Sequence, residues 1–281
     1  MGPIEHCEHH GLAAIRLISP DGAVALVTLH GAQVLSWTPA GRDEQLFLSD
    51  RAHYEAHKAI RGGIPVIFPQ FGASGPLPRH GFARTACWAL AECHHGEGFA
   101  TATFALTPTP AIRAIWDREF RAELTVSVGG ERLDVELAVE NPSGAALEFT
   151  GALHTYLRVA EVERATLQGL QGVRFLDQAA GGREGVQETA ALGFDGEIDR
   201  IYLGAPRELV LTEPQRRVLV TADGFPDVVI WNPWDRQGAL LPDMAPTAFR
   251  RMLCVEAAVA GTLASVPPGG LWTGRQALIL G

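Results

Sequence analysis

The sequence predicts an all-β protein built from antiparallel sheets, on three observations. Short apolar runs with two-residue alternation recur along most of its 281 residues. Turn residues separate these runs at close intervals, the pattern of sandwiches and barrels. Helical periodicity is scarce: "SDRAHYEAH" has room for a turn or two, and "TAFRRMLCVEAAV" is mixed in character.

Taken in order, "AVALVTLHGAQVLSWTP" follows a Pro-Asp-Gly turn and alternates through Val24, Leu26 and Thr28. "ACWALAEC" and "FATATFAL" read as the next strands. "FRAELTVSVGGERLDVELAVENPSG" is the clearest hairpin, with "GGER" turning between its halves. Phe120, Ala122, Leu124, Val126 and Val128 share one face, and Leu133, Val135, Leu137 and Val139 share another. Strands are also expected in "ALEFTGALHTYLRV", "RELVLTE", "RRVLVTA", "VVIWNPW" and "ALIL". No Pro/Ser-rich linker, charge block or internal repeat divides the chain, so one domain over 1–281 is expected.

Hydrophobic residues make up 47% and charged residues 20%, an ordinary balance for a globular core. The net charge of −9 argues against a nucleic-acid surface, where basic residues dominate. Any anionic ligand must therefore meet a local arginine cluster. The four cysteines are scattered without CxxC spacing, which points to reduced thiols and a cytoplasmic protein. The N-terminal "MGPIEHCEHH" lacks the basic and apolar regions of a signal peptide, and no apolar run is long enough for a bilayer. No membrane partner is expected. GxxxxGK[ST] and GxSxG segments are absent, which argues against a P-loop and a serine nucleophile. The tracts "HCEHH" and "ECHHGE" lack the second half of a zinc spacing, so no metal or other cofactor is expected.

The segment "IRGGIPVIFPQFG" sets an arginine and two glycines against apolar residues broken by two prolines. Arg61, Arg79 and Arg84 all neighbour glycine or proline. As loop residues they would ordinarily be solvated, but Pro65, Pro69, Pro76 and Pro78 stiffen the chain around them. Guanidinium forks held in this way suit phosphate oxygens. His154 lies in "TGALHTYLRV", where alternation directs it to the face of Ala152 and Tyr156, in a polar patch with Thr150 and Thr155. It reads as a half-buried core histidine or as an acid–base group near neutrality. Glu256 sits in "RRMLCVEAAVAG", either as an edge-strand glutamate facing water or as a desolvated base. Trp231 and Trp234 flank "NP" and suit either core packing or stacking on a sugar. Asp199 in "EIDRIYLG" reads as a turn residue.

Together "AIRGGIPVIFPQFG", "LPRHGFART", "LHTYL", "DRIY", "WNPW" and "CVEAA" resemble, in order, the hexose-6-phosphate mutarotase branch of the aldose 1-epimerase superfamily. The resemblance runs from about residue 25 to residue 275. It implies a β-supersandwich of large twisted antiparallel sheets with a concave sugar site. It implies a cofactor-independent enzyme, expected as a monomer, that interconverts anomers of a phosphosugar, glucose 6-phosphate foremost. By the same resemblance His154 is the acid at the ring oxygen and Glu256 the base at the anomeric hydroxyl. Arg61 and Arg84 match positions that hold substrate and its phosphate, and Asp199 matches a substrate-binding acid; Arg79 and His80 are expected to bind substrate beside them. Two features depart from the usual pattern: Ala257 and Ala258 stand where Pro-Gly is common, and Arg79 where glutamine or a small residue is common. A mutarotase for free aldoses and a non-catalytic phosphosugar-binding protein are the alternatives.

Overall fold

A computed structural model describes residues 4–281. Every pair of strands in it is antiparallel, in three sheets. Residues 4–38 supply a four-stranded meander: Ile4–His9, Leu12–Ile18, Val24–Thr28 and Val34–Thr38. A nine-stranded sheet runs from Ala191–Gly193 at one edge to Ala89–His95 at the other. An eight-stranded sheet has the 15-residue strand Met252–Val266 near its middle, flanked by Asp227–Asn232 and Leu147–Leu153. This is the sandwich the sequence predicts.

The hairpin differs from expectation in one respect. Arg121–Gly129 and Arg132–Glu140 pair so that Leu124 lies opposite Leu137 and Val126 opposite Val135. The two apolar sets therefore lie on one face, as directly opposed residues of a sheet must. That face belongs to a single core extending from Ile15 to Leu280. The "SDRAHYEAH" segment forms turns without a helix, while short helices occur at Pro110–Ile115 and Trp234–Gly238. Thr109 caps the first by accepting from the Ile112 N–H, and Pro110 suits its opening position. Among the described residues no helix is long and apolar enough to cross a membrane.

Alternation along the central strands creates two faces of different chemistry. Leu253, Val255, Ala257 and Val259 enter the core between the sheets. Met252, Cys254, Glu256 and Ala258 consequently point to the opposite face. On the neighbouring strand Val228 and Ile230 enter the core, which leaves Val229 and Trp231 opposite. Register then aligns a row across four strands: Asp199, Trp231, Cys254 and Tyr156. The next row contains Ile201, Val229 and Glu256. Ala257 and Ala258 continue the long strand instead of turning it. Cross-strand register thus brings together residues far apart in sequence, such as Tyr156 and Cys254.

Candidate active site

The opening arginine is placed by a loop that only glycine can form. Gly62 and Gly63 have φ of +117° and +62°. A Cβ on Gly62 would lie 2.4 Å from the Phe47 carbonyl oxygen, and one on Gly63 would lie 2.1 Å from that of Val34. The chain can pass this close to its neighbours only without side chains. Arg61 emerges with its guanidinium spoken for: Nη1 donates to the Tyr156 hydroxyl at 2.9 Å, and Nη2 lies 3.1 Å from Asp243 Oδ2. Its guanidinium is thereby fixed between a phenol and a carboxylate.

Tyr156 passes this order to His154. The two rings stack with centroids 4.8 Å apart and planes within 7°, while Trp231 meets both edge-on at 6.0 Å. His154 itself lies outside regular strand, in the break between Leu147–Leu153 and Tyr156–Arg158. Its backbone N–H donates to the Pro65 carbonyl at 3.0 Å, tying the break to the proline-stiffened loop. Thr155 points away and donates to Gln276, whose amide in turn donates to the Val255 carbonyl at 3.0 Å. Of the polar patch expected around His154, Tyr156 alone stacks on it. Thr150 accepts from the Phe71 N–H instead.

Glu256 is on a central strand and 1% exposed, so the edge-strand reading is overturned. Its Oε1 lies 3.3 Å from Nδ1 of His154, itself 8% exposed. The contact lacks hydrogen-bond alignment, which leaves Nδ1 of His154 buried without a partner, and Oε2 of Glu256 is likewise buried without one among the described residues. Burial pushes the Glu256 carboxyl well up, with Asp199 adding to the rise and Arg84 opposing it. Burial pushes His154 well down, helped by His80, Arg61 and Arg84. Both directions favour the uncharged form.

The remaining predicted residues surround this pair. His80 stands edge-on to His154 at 5.8 Å and is pushed down to about 3, by burial first and then by Arg84, Arg79 and Arg61. Its Nδ1 accepts from the Gly72 N–H at 3.4 Å. Arg84 donates to the Arg79 carbonyl at 3.0 Å, and neither arginine has a carboxylate at ion-pair distance among the described residues. Burial, Arg61 and Arg79 all act to lower the Arg84 pKa. Asp199 is in the strand Ile198–Tyr202, not in a turn, and burial raises it to about 6 despite Arg79. Trp234 packs on Phe249 at 5.1 Å, which leaves Trp231 as the indole of the site.

Sequence reasoning missed Asp243 and the structural part played by Tyr156. "PDM" has no recognisable signal, since Asp243 matters only because the fold brings it to Arg61. Cys254 was legible in principle, because it is two residues from Glu256 on a strand and so shares its face. A separate cavity of about 550 Å³ holds Arg42, Arg158, Arg164 and Arg216. Two of its cations are closely paired with carboxylates, Arg216 with Glu213 at 2.8 Å and Arg42 with Glu131 at 2.6 Å.

Comparison with known proteins identifies the family. The family model described as aldose 1-epimerase matches residues 13–278. A protein of Cenchrus ciliaris named "Putative glucose-6-phosphate 1-epimerase" is 33% identical over 278 residues, covering 95% of this chain and 84% of its own. One of the same name from Escherichia coli K12 is 34% identical, covering 84% and 80% respectively. The crystal structure of a "putative mutarotase" from Salmonella typhimurium superposes with a TM-score of 0.91 at 29% identity, covering 99% of this chain and 93% of that one. The chain belongs to the aldose 1-epimerase family.

Proposed function

We propose that this protein interconverts the α and β anomers of a hexose 6-phosphate, glucose 6-phosphate foremost, by acid–base opening and closing of the ring, acting as one domain. The observation that carries the phosphate half is Arg84, partly buried beside the acid–base pair with no carboxylate of its own. With Arg61 and Arg79 it makes a cationic wall in a chain of net charge −9. A phosphate dianion relieves that repulsion and accepts the guanidinium forks. His80 and Asp199 serve the sugar hydroxyls, His80 as a neutral ring and Asp199 as an acceptor.

The spacing of His154 and Glu256 supports the reaction half. The anomeric oxygen and the ring oxygen are both bonded to C1, so the base and the acid must stand within a few ångströms of each other. A separation of 3.3 Å meets that need. Glycoside hydrolysis instead sets its two groups about 5 Å apart or more, on opposite sides of the bond that breaks. Glu256 as carboxylate removes the O1 proton while His154 as imidazolium protonates the ring oxygen. The C1–ring oxygen bond breaks, and an open-chain aldehyde results with Glu256 protonated and His154 neutral. Rotation about C1–C2 followed by the reverse transfers closes the other anomer and restores the starting charges.

Burial favours the neutral pair, which is the form that ring closure consumes. Phosphate binding shifts the balance, because it offsets the Arg61 and Arg84 charges that hold His154 down. Polarimetry of freshly dissolved α- or β-glucose 6-phosphate tests the reading. Acceleration over the spontaneous rate, with inorganic phosphate as a competitor, is the expected result. Binding without acceleration would identify a phosphosugar-binding protein.

A further inference from the structure

Among the described residues, one trio of metal-ligating side chains is buried together: His154, Cys254 and Glu256, whose donor atoms all lie within 4.8 Å of one another. We infer that this trio is a latent site for a zinc-like divalent cation, and that the ion and the sugar exclude each other.

Three features of the site support this. The 3.3 Å between His154 Nδ1 and Glu256 Oε1 is close to the separation of about 3.4 Å spanned by two ligands bound at 2.1 Å in a tetrahedral zinc site. Nδ1 of His154 and Oε2 of Glu256 are buried without partners, so neither must break a hydrogen bond to bind the ion. Cys254 and Glu256 alternate onto one face of a central strand, which sets the sulfur within 4.8 Å of the other two donors. The thiol selects the ion. Sulfur with imidazole suits zinc or cobalt, whereas magnesium and calcium require oxygen.

Binding releases the Cys254 proton, and that of Glu256 when it carries one, so thiolate and carboxylate together balance the dication. Arg61 and Arg84 lie near enough to weigh on His154 and oppose the ion, whereas Asp199 favours it. That opposition makes it a reversible inhibitor site and not a resident cofactor site. Ion binding stands apart from the functional proposal above. Inhibition rests on that proposal, since it requires His154 and Glu256 to be the acid and base.

The two parts are tested separately. Cobalt(II) titration should produce a thiolate-to-cobalt charge-transfer band in protein carrying Cys7→Ser, Cys87→Ser and Cys93→Ser. This background removes the exposed thiols and keeps Cys254. Adding Cys254→Ser or His154→Ala should abolish the band. Zinc should inhibit anomerisation competitively with glucose 6-phosphate, a chelator should reverse it, and magnesium should have no effect. Cys254→Ser and Cys254→Ala should turn over without zinc yet tolerate more than about tenfold higher zinc, the least that losing a ligand should cost. A missing band in the triple-serine protein overturns the site even if no Cys254 variant folds. So does equal zinc sensitivity in wild type and Cys254 variants. A band with undiminished turnover in the presence of zinc would retain the site and remove His154 and Glu256 from the mechanism.

Discussion

His154 Nδ1 and Glu256 Oε1 stand 3.3 Å apart without an aligned hydrogen bond between them. A buried acid and base this close, and not locked together, can each turn to a substrate atom. Glu256→Gln keeps the shape and removes the base. Its catalysed anomerisation rate should fall roughly 100- to 10,000-fold with the fold intact. Near wild-type exchange by NMR would exclude Glu256 from the proton transfer.

His154→Ala should lower kcat far more than it raises KM, because protonating the ring oxygen matters most in the transition state. Tyr156→Phe probes the stacking beneath it. It keeps the ring but loses the hydroxyl that accepts from Arg61, so kcat should fall less than in His154→Ala. A variant of His154 with raised KM and unchanged kcat would make it a binding residue.

Arg84→Ala and Arg61→Ala should behave differently. Arg84 has no carboxylate partner among the described residues, so its loss should reduce kcat/KM for the phosphosugar roughly tenfold to hundredfold and leave glucose turnover nearly unchanged. Arg61 also holds Tyr156 beneath His154 and is paired with Asp243. Its loss should damage turnover of both sugars and leave the half-buried Asp243 unpaired. Identical substrate profiles for the two variants would contradict this division of labour.

Asp199 gives a pH-dependent prediction. Burial raises its folded pKa from 3.8 to about 6, so the folded state holds the proton more tightly than the unfolded chain does. Its contribution to stability is therefore present below about pH 3.8 and is lost as pH rises through about 6. Asp199→Asn should be more stable than wild type at pH 7.5, by roughly 1–3 kcal/mol, and no more stable at pH 3.5. It should also bind substrate more weakly. Thermal unfolding at the two pH values decides, and a pH-independent difference would contradict the assignment.

The parts legible in the sequence were those governed by local pattern. Two-residue alternation located the strands, and the hairpin around Gly130 followed from its turn chemistry. His154, Glu256 and the three arginines were recognisable because each departs from its surroundings. What alternation could not supply was register. Glu256 was equally compatible with an edge and with the centre of a sheet, and its pairing with Val229 on one side, with Leu153 opposite Ala257 on the other, decides between them. Asp199 read as a turn residue because only its pairing with Trp231 places it in a strand. The Arg61–Asp243 pair spans 182 positions, so no local pattern announces it. The helix at Trp234 opens with that residue at φ +55°, a conformation sequence patterns rarely predict for an indole.

The most direct test of hexose 6-phosphate anomerisation is magnetisation exchange between the α and β C1 protons, measured side by side on glucose 6-phosphate and glucose with wild-type protein. The account predicts strong acceleration for the phosphosugar, exceeding that for glucose by at least roughly tenfold to hundredfold, the contribution of one guanidinium–phosphate contact. Equal acceleration of the two sugars, or none, would contradict it.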